Sequence, residues 1–333
     1  MRKNRVVLAL AAASVALVTM SGCSVPDSGA AAGGGGTEGG GEPANTLLGI
    51  VTISATDANN ARVIKGATEA AEEAGWTVEV IDAAGNADQA NTAITNFVNK
   101  GAGMIFDLVF PASSLGAGLN AAKSAGIPVA TWGGGIADGV VMTTGEGAPF
   151  AEPATQAMID ALGGEGDVLA LTYRTGQVCR DREGLFDEML AEYPDIRVSK
   201  NEVTIPGFLQ DGADYANAWL AGHPEGSGNL AIWGCWEDPT LGAISALKQA
   251  GRTDVLTYGI NGSSTAIKAV QDGSLTATVY EDGVLEGRTM FEETLAILED
   301  GASGEPETID VPGVLVTADT IEDFLTEHPE ALE

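Results

Sequence analysis

Basic residues are scarce in this chain of 333 residues: 16 Lys and Arg stand against 47 Asp and Glu, which gives a formal net charge of −31. Such a charge argues against nucleic acid or an anionic lipid surface as a partner. His223 and His328 are the two histidines, too few for a metal site or a catalytic triad built on histidine. The chain also lacks a nucleophile elbow, a phosphate-binding loop and a Cys-x-x-Cys pair. We therefore expect no catalysis, no metal and no cofactor.

Long apolar runs are absent after the first 22 residues, which argues against a transmembrane helix there. The N-terminus has the order of an export signal: basic residues, an apolar run over residues 6–19, then small residues leading to Cys23. This end resembles the lipobox of bacterial lipoproteins, which implies that residues 1–22 are a signal peptide and that the Cys23 thiol is acylated, as with palmitate. An ordinary signal peptide before an incidental cysteine is the alternative. The lipobox predicts an extracytoplasmic protein anchored by lipid to the outer face of the cell membrane.

The segment after the signal, residues 23–45, consists almost entirely of Gly, Ala, Ser, Pro and acidic residues. Such a composition buries no core, so we expect a flexible linker between the lipid and the folded protein. The remaining residues, 46–333, are enough for two domains.

Apolar runs of β type alternate with amphipathic segments along these remaining residues. The expected strands are residues 47–54, 76–81, 103–106, 127–131, 167–172, 196–203, 230–234, 255–259 and 275–280. The expected helices are residues 60–75, 88–100, 113–125, 150–162, 182–192, 211–221, 239–250, 264–271, 287–299 and 321–325. Apolar strands separated by helices predict an α/β fold with parallel sheets covered on both faces. Because the pattern restarts after Gly145, we expect two doubly wound lobes.

Short strings in a fixed order carry a resemblance to a known family. They are residues 57–60 (Asp-Ala-Asn-Asn), 65–67 (Lys-Gly-Ala), Asp82, 88–89 (Asp-Gln), 125–129, 179–186, 241–243, 258–262, 269–273, 275–279 and 314–317. In their order and spacing, residues 46 to about 326 resemble a type I periplasmic solute-binding protein of the ribose- and galactose-binding group. The resemblance implies a monomer that carries a sugar or sugar-like solute to the permease of an ABC importer.

The resemblance also implies where the chain passes between lobes. In that family the chain crosses three times, and the crossings here are expected near residues 143–147, 281–283 and 310–313. One lobe then consists of residues 46–145 and 283–310, and the other of residues 146–282 and 311–333. Gly and Thr at these crossings suit a hinge, because hinge positions absorb changes in φ and ψ.

Sheet geometry predicts the ligand site. Ligands of open α/β sheets bind beyond the carboxyl ends of the strands, and two lobes would direct those ends into one cleft. The residues expected to bind ligand are Asp57, Asn59, Asn60, Trp132, Arg182, Trp236, Glu237, Asn261 and Glu281. Aromatic faces suit the C–H surface of a pyranose, and the charged and amide groups suit its hydroxyls. This set is typical of a sugar site.

Further side chains near the strand ends, including that of Trp233, are also candidates, and several candidates have a second interpretation. Trp233 can belong to the core, since it lies within a strand, and Asp57 can cap the helix that follows it. Asp238, before Pro239, is expected to be a helix N-cap. Asp107 at a strand end can be a solvated loop residue, and Arg180 can pair with a neighbouring acid.

The chain departs from the family at the supposed site. Residues 133–134 are Gly-Gly where many pentose and hexose binders carry an Asp-Arg pair, and Asn59 and Asn60 replace aromatic residues. Trp236 and Glu237 replace the family's amide–acid pattern. These departures argue against ribose, galactose or glucose as the ligand.

Cys179 and Cys235 are the two cysteines beyond the signal. Cys179 is expected in a turn that leads to Arg182, and Cys235 directly follows another strand of the same lobe. First and third strands are neighbours in such a lobe, so the two thiols are expected at one sheet edge near the cleft. Export favours oxidation, and we expect a Cys179–Cys235 disulfide that fixes one wall of the site. Two buried free thiols are the alternative.

Two functions from different classes remain open. The first is a binding protein for an importer, in which closure of the lobes around ligand signals to the permease. The second is an extracytoplasmic sensor whose ligand-bound form docks on a signalling receptor. Paired carboxylates in a sugar cleft also leave a glycoside hydrolase as a distant third.

Overall fold

Strands and helices alternate along almost the whole of the described chain. The computed structural model describes residues 45–145, 147–301, 305–309 and 311–332. Cys23 and residues 1–44, with the expected signal and most of the linker, lie outside these residues. Within the described part of the chain, no helix has the length and apolar character needed to cross a membrane.

Twelve strands lie in the described residues. In chain order they are β1 (Leu47–Thr52), β2 (Thr77–Asp82), β3 (Met104–Leu108), β4 (Val129–Trp132), β5 (Val140–Thr144), β6 (Gly166–Thr172), β7 (Ile196–Glu202), β8 (Leu230–Gly234), β9 (Val255–Asn261), β10 (Ala277–Tyr280), β11 (Glu307–Ile309) and β12 (Val314–Thr317).

Ten α-helices cover the faces of the sheets in the same residues. They are α1 (Ala58–Glu73), α2 (Ala87–Lys100), α3 (Gly116–Ser124), α4 (Ala148–Leu162), α5 (Gln177–Leu190), α6 (Phe208–Leu220), α7 (Glu237–Ala250), α8 (Ser264–Gln271), α9 (Gly283–Glu299) and α10 (Ile321–Glu327). Two 3₁₀ turns, Ala112–Ser114 and Pro329–Leu332, complete the set.

The strands form two six-stranded sheets, as a two-lobed α/β fold requires. The first has the order β11-β5-β4-β3-β1-β2 and the second β12-β10-β9-β8-β6-β7. The described pairings are parallel, except that β12 runs antiparallel to β10. The prediction of two doubly wound parallel sheets is therefore confirmed.

Burial follows position in the sheet. Every residue of the central strands β1, β3 and β8 is buried, because helices cover both faces. The edge strands β2 and β7 are largely exposed, and their charged and polar side chains suit an edge open to water. A cluster between β1, α1 and α9 includes Trp76, whose ring meets Phe291 edge-on at 5.6 Å.

Three strands and several helix starts differ from the sequence-based expectation. β5 was not expected, since it is separated from β4 by a loop of glycines and ends in two threonines. β11 and β12 are three and four residues long, too short to show a periodicity. Helix α5 begins at Gln177 instead of residue 182, so Cys179 lies in its first turn and not in a turn before it.

Sheet membership changes three times along the chain. Strand β5 belongs to the first sheet and β6 to the second, β10 to the second and β11 to the first, and β12 again to the second. We propose on this basis that residues 46–145 and 283–310 form the N-terminal lobe, and residues 146–282 and 311–333 the C-terminal lobe.

Candidate functional site

A small cavity of about 40 Å³ lies where the strand order of each sheet reverses. In the first sheet β1 has β2 on one side and β3 on the other, and in the second β6 has β7 and β8. Loops beyond the carboxyl ends of such strands diverge and leave a crevice. The residues that line the cavity are Ile53, Asp57, Asn60, Val109, Trp132, Tyr173, Val178, Cys179, Arg182, Ile205, Trp236 and Asn261. Both lobes contribute, so a solute in the cavity would touch both walls.

Arg182 is the central charge of the C-terminal wall. Its side chain is 1% exposed and comes from the second turn of α5. Its Nη1 donates to the Cys235 carbonyl and to Asn261 Oδ1, each at 2.9 Å. Its Nη2 lies 3.7 Å from Glu281 Oε2. These partners fix the guanidinium plane before any ligand is bound, which is the condition for precise recognition of oxygen atoms.

The two remaining cysteines are joined as the sequence predicts. Cys179 in α5 and Cys235 after β8 form a disulfide with Cα atoms 5.3 Å apart. The bond ties the start of the helix that carries Arg182 to the loop whose carbonyl accepts from Arg182. The C-terminal wall is therefore held both covalently and by hydrogen bonds.

Asp57 and Asn60 form the polar part of the N-terminal wall. The Asp57 carboxylate caps α1 by accepting from the backbone amides of Asn59 and Asn60 at 3.0 and 2.9 Å, and it also lines the cavity. The cap role is therefore present, and the ligand-binding role stays a prediction. Asn60 Nδ2 donates to the Ser54 carbonyl at 2.8 Å. Burial raises the pKa of Asp57, opposed by the two helix amides and by Arg62 and Arg182.

Two of the three tryptophans expected near the site line the cavity. The Trp132 Nε1 donates to Glu286 Oε2 at 2.9 Å, so its ring carbons remain to face a solute. Trp236 packs edge-on against Tyr173 and Phe208, with ring centroids 6.1 and 5.8 Å away. The Trp233 ring packs in the core against the Phe186 ring, with the ring centroids 4.4 Å apart. Of the two interpretations of Trp233, the structure therefore supports the core.

Asn59 and Glu281 lie behind the cavity and connect the lobes. Asn59 Nδ2, on α1, donates to Glu281 Oε2 at 2.7 Å. Arg62 donates to Asn59 Oδ1 at 2.7 Å and to the Asn261 carbonyl at 2.6 Å. Burial raises the pKa of Glu281, and Arg182 opposes that shift. These bonds run from α1 of the first lobe to the strand ends of the second, so they form when the lobes are closed.

Glu237 and Asp238 occupy the first turn of α7. The Glu237 carboxylate accepts from the Ser263 and Gly262 amides at 2.9 and 3.1 Å, and burial raises its pKa to about 7. The expected N-cap role of Asp238 is wrong: α7 starts at Glu237, and the flanking residue is Trp236. Burial, together with the charges of Asp57 and Glu237, raises the pKa of Asp238 to about 9.

The remaining candidates lie outside the cavity. Arg180 donates to Gln177, which lies one turn earlier on α5. Asp107 is fully buried at the end of β3, and burial raises its pKa well above the usual value. A Cβ at Gly134 would lie 2.7 Å from Asp107 Oδ2, so this close approach favours glycine at position 134.

Sequence reasoning missed the apolar residues of the cavity. Val109, just beyond β3, has a φ of 80°, a conformation that costs a β-branched residue free energy and marks functional sites. Its carbonyl accepts from the Gln177 amide of the other lobe at 3.2 Å. Val178 lies one turn before Arg182, and Ile205 lies in the loop after β7. These apolar side chains carry no chemical signal in the sequence, and only the strand order of the two sheets brings them together.

Comparison with known proteins places these features in context. A family model described as periplasmic binding protein domain matches residues 48–303. The chain is 29% identical over 265 residues to the xylitol-binding protein of Mycolicibacterium smegmatis, covering 75% of this chain and 72% of that protein. It is 23% identical over 236 residues to the ribose import binding protein of Bacillus subtilis, covering 70% of this chain and 75% of that protein.

A solved structure shares the fold. It is an ABC transporter solute-binding protein from Agrobacterium vitis with bound allitol, and its TM-score to this chain is 0.78 at 23% identity. The match covers 86% of this chain and the whole of that chain.

Proposed function

The chain belongs to the periplasmic binding protein domain family, and from that premise we propose that it is the substrate-binding component of an ABC importer. Its ligand would be a sugar or polyol, held in the cavity between the lobes. The xylitol-binding and ribose-binding relatives and the neighbour solved with allitol support this class of ligand.

The observation that carries the proposal is the composition of the cavity. A buried arginine, two amides and a carboxylate line the cavity together with Trp132 and Trp236. Hydroxyl groups need donors and acceptors fixed in space, and sugar C–H surfaces pack well against aromatic rings. The arrangement thus offers both kinds of contact that a polyhydroxylated solute makes.

The mechanism we propose is closure of the two lobes on the ligand. The bonds from Asn59 to Glu281, from Arg62 to Asn261 and from Gln177 to Val109 each link one lobe to the other. A ligand that touches both walls favours the state in which these bonds exist, because it binds that state more tightly. A permease can then recognise the closed lobes. The protein acts by binding alone, as a monomer, and releases its ligand chemically unchanged.

Isothermal titration with a panel of monosaccharides and polyols tests the proposal. We expect at least one compound to bind, and Trp236→Ala to weaken that binding more than tenfold, about 1.4 kcal/mol. The control is Trp76→Ala, which should lower stability but leave affinity unchanged, because Trp76 packs on Phe291 away from the cavity. Equal affinity of the wild type and Trp236→Ala would contradict the assignment of the site.

A transport experiment distinguishes an importer component from a sensor. For an importer component, uptake of the bound compound should be lost when this chain is deleted.

We further propose that Cys23 is acylated and anchors the protein to the outer face of the cell membrane. The order of charges, apolar run and small residues before Cys23 supports this. Cys23→Ala should move the protein from the membrane to the soluble fraction without a change in ligand affinity. Wild-type protein found free and without the mass of a lipid would overturn the anchor and leave the binding function intact.

A further inference from the structure

The cavity has unequal ends. Its polar residues are Asp57, Asn60, Arg182 and Asn261, and they are connected to one another: Arg182 bonds to Asn261, the charge of Arg182 acts on Asp57, and Asp57 caps the turn that carries Asn60. We call these four residues the polar end.

The remaining part of the cavity offers mainly apolar surface. The side chains of Val109, Val178, Cys179 and Ile205 line it together with the ring of Tyr173, whose hydroxyl is engaged by Thr175, and we call these five residues the apolar end. They are also neighbours. A Cβ on Gly176 would lie 3.1 Å from Val109 Cγ1 and 3.2 Å from the Tyr173 ring, and Val178 and Cys179 follow Gly176 in the first turn of α5.

The change from one end to the other takes place within the length of one small solute. Cys179 and Arg182 are three residues apart and so lie on the same face of α5, about 4.5 Å apart along the helix axis. The sulfur of Cys179 is held in the disulfide, which removes the thiol proton as a donor. Val109 keeps its isopropyl group at the apolar end despite the unfavourable φ of 80°.

We propose that the ligand is a deoxy sugar or deoxy polyol: a monosaccharide-sized solute with its hydroxyls at one end and a methyl or methylene group at the other. The hydroxyls face the polar end and the C–H segment faces the apolar end. This inference rests on the proposed function, because it assigns a chemical class to the ligand of the same cavity.

The physical reason is the cost of an unpaired hydroxyl. A hydroxyl directed at Val109, Val178 and Ile205 loses its water and gains no partner. Hydrophobic pockets reject an added hydroxyl by about 100-fold at most. A site that hydrogen-bonds that hydroxyl would instead reject the deoxy compound, by a far larger factor. Tighter binding of the deoxy compound therefore indicates an apolar end, and tighter binding of the hydroxylated compound indicates a site that hydrogen-bonds the hydroxyl.

Titration calorimetry on the purified full chain tests the inference with matched pairs of compounds. Each pair differs by a single hydroxyl: D-galactose and 6-deoxy-D-galactose, L-mannose and L-rhamnose, D-ribose and 5-deoxy-D-ribose, xylitol and 1-deoxyxylitol. We expect the deoxy member to bind at least tenfold more tightly in one or more pairs. In every pair that binds, equal or tighter binding of the hydroxylated member would overturn the inference and leave the proposed function in place. Absence of binding by all eight compounds and by the wider sugar and polyol panel would overturn both.

Val178→Thr assigns the preference to the apolar end. Threonine has nearly the shape of valine but carries a hydroxyl in place of one methyl group. The variant should therefore reduce the preference for the deoxy member at least threefold. Val109→Thr, a half-buried site, gives the same test if Val178→Thr is poorly folded. The matched control is Val80→Thr on the exposed edge strand β2, which should keep the wild-type ratio. An unchanged ratio in both cavity variants would contradict the inference.

Discussion

The C-terminal wall of the cleft is held by a disulfide as well as by bonds between buried side chains, whereas the described contacts that hold the N-terminal wall are hydrogen bonds. On the C-terminal side Arg182 is fixed by Cys235 and Asn261, and the disulfide ties α5 to the loop after β8. On the N-terminal side Asp57 caps α1, Asn60 bonds to the Ser54 carbonyl and Trp132 bonds to Glu286. The covalent tie thus belongs to the C-terminal wall.

This difference suggests an order of events in binding. A pre-organised wall binds a solute without first paying for side-chain ordering, so the C-terminal lobe is expected to receive the ligand. The N-terminal wall then completes the site when α1 reaches the strand ends of the other lobe through Asn59 and Arg62. Variants of the two walls should therefore differ in the size of their effects, with larger losses of stability and affinity on the C-terminal side than on the N-terminal side.

The largest effect is expected from Arg182→Ala, which removes the centre of the fixed wall. The change removes the cation whose charge acts most on the fully buried Glu281, and breaking such a buried pair costs about 3–5 kcal/mol of stability. Ligand affinity should fall more than tenfold. Urea unfolding and calorimetry measure the two effects, and Arg182→Met serves if the alanine variant does not fold. The control is Arg197→Ala, whose exposed pair with Asp167 should contribute less than about 1 kcal/mol. If Arg182→Ala and Arg197→Ala lost similar amounts of stability and affinity, Arg182 would not be the centre of the C-terminal wall.

The next effect is expected from the double variant Cys179→Ala and Cys235→Ala. The disulfide closes a loop with a sequence separation of 56 residues, so its loss should lower the free energy of unfolding by about 3–4 kcal/mol. Affinity should fall less than in Arg182→Ala, because the guanidinium keeps its hydrogen bonds. Urea unfolding with and without a reducing agent provides the check: reduction should destabilise the wild type and leave the double variant unchanged. A wild type that is insensitive to reduction under unfolding conditions would contradict the bond.

A smaller effect is expected from Asp57→Ala on the other wall. Loss of an N-cap costs about 1 kcal/mol of stability, and ligand affinity should fall as well, because Asp57 lines the cavity. Asn86→Ala is a close control, since Asn86 caps α2 of the same lobe with the same two kinds of bond but lies outside the cavity lining. Equal stabilities with unequal affinities are expected for the two variants, measured by urea unfolding and calorimetry. Equal affinities would place the function of Asp57 in the helix cap alone.

The fold could be predicted from the sequence because apolar strands and amphipathic helices leave strong local patterns. The exceptions have local causes: β11 has three residues, and α5 starts early at Gln177 without a side-chain cap to mark it. Burial on both faces gives β1 and β8 continuous apolar runs that need no tertiary knowledge to recognise.

The candidate site was only partly predictable, for a different reason. Position beyond a strand end is readable from sequence, and it brought Asp57, Arg182 and Asn261 to the cavity. The direction of a side chain is not readable. Asn59 and Asn60 are adjacent on α1, yet Asn59 turns to Glu281, while Asn60 lines the cavity. Val178 and Ile205 carry no chemical signal, and only their place beside β6 and β7 brings them to the site.

The smallest effect concerns the contact between the two walls, where acidic groups of both lobes approach one another. Burial and the charges of Asp57 and Glu237 raise the pKa of Asp238 to about 9, while Arg62 opposes the shift. An unfolded aspartate has a pKa of about 3.9, so from about pH 4 to pH 9 the folded protein holds a proton that the unfolded chain has lost. The free energy of unfolding should therefore fall as the pH rises. The stability that this proton contributes should be lost once the pH has passed the folded pKa of Asp238.

Between pH 7 and pH 9 we expect this fall to be about 1 kcal/mol, below the 1.4 kcal/mol per pH unit of one fully coupled proton, because Asp238 is partly exposed. Glu237, with a pKa of about 7, contributes chiefly below this interval. Asp238→Asn should abolish the fall between pH 7 and pH 9, measured by urea unfolding at both values, whereas Asp195→Asn at an exposed turn of the same lobe should retain it. The same fall in both variants would mean that the proton belongs to another group, and that the charge of Asp57 does not act on Asp238 across the two walls.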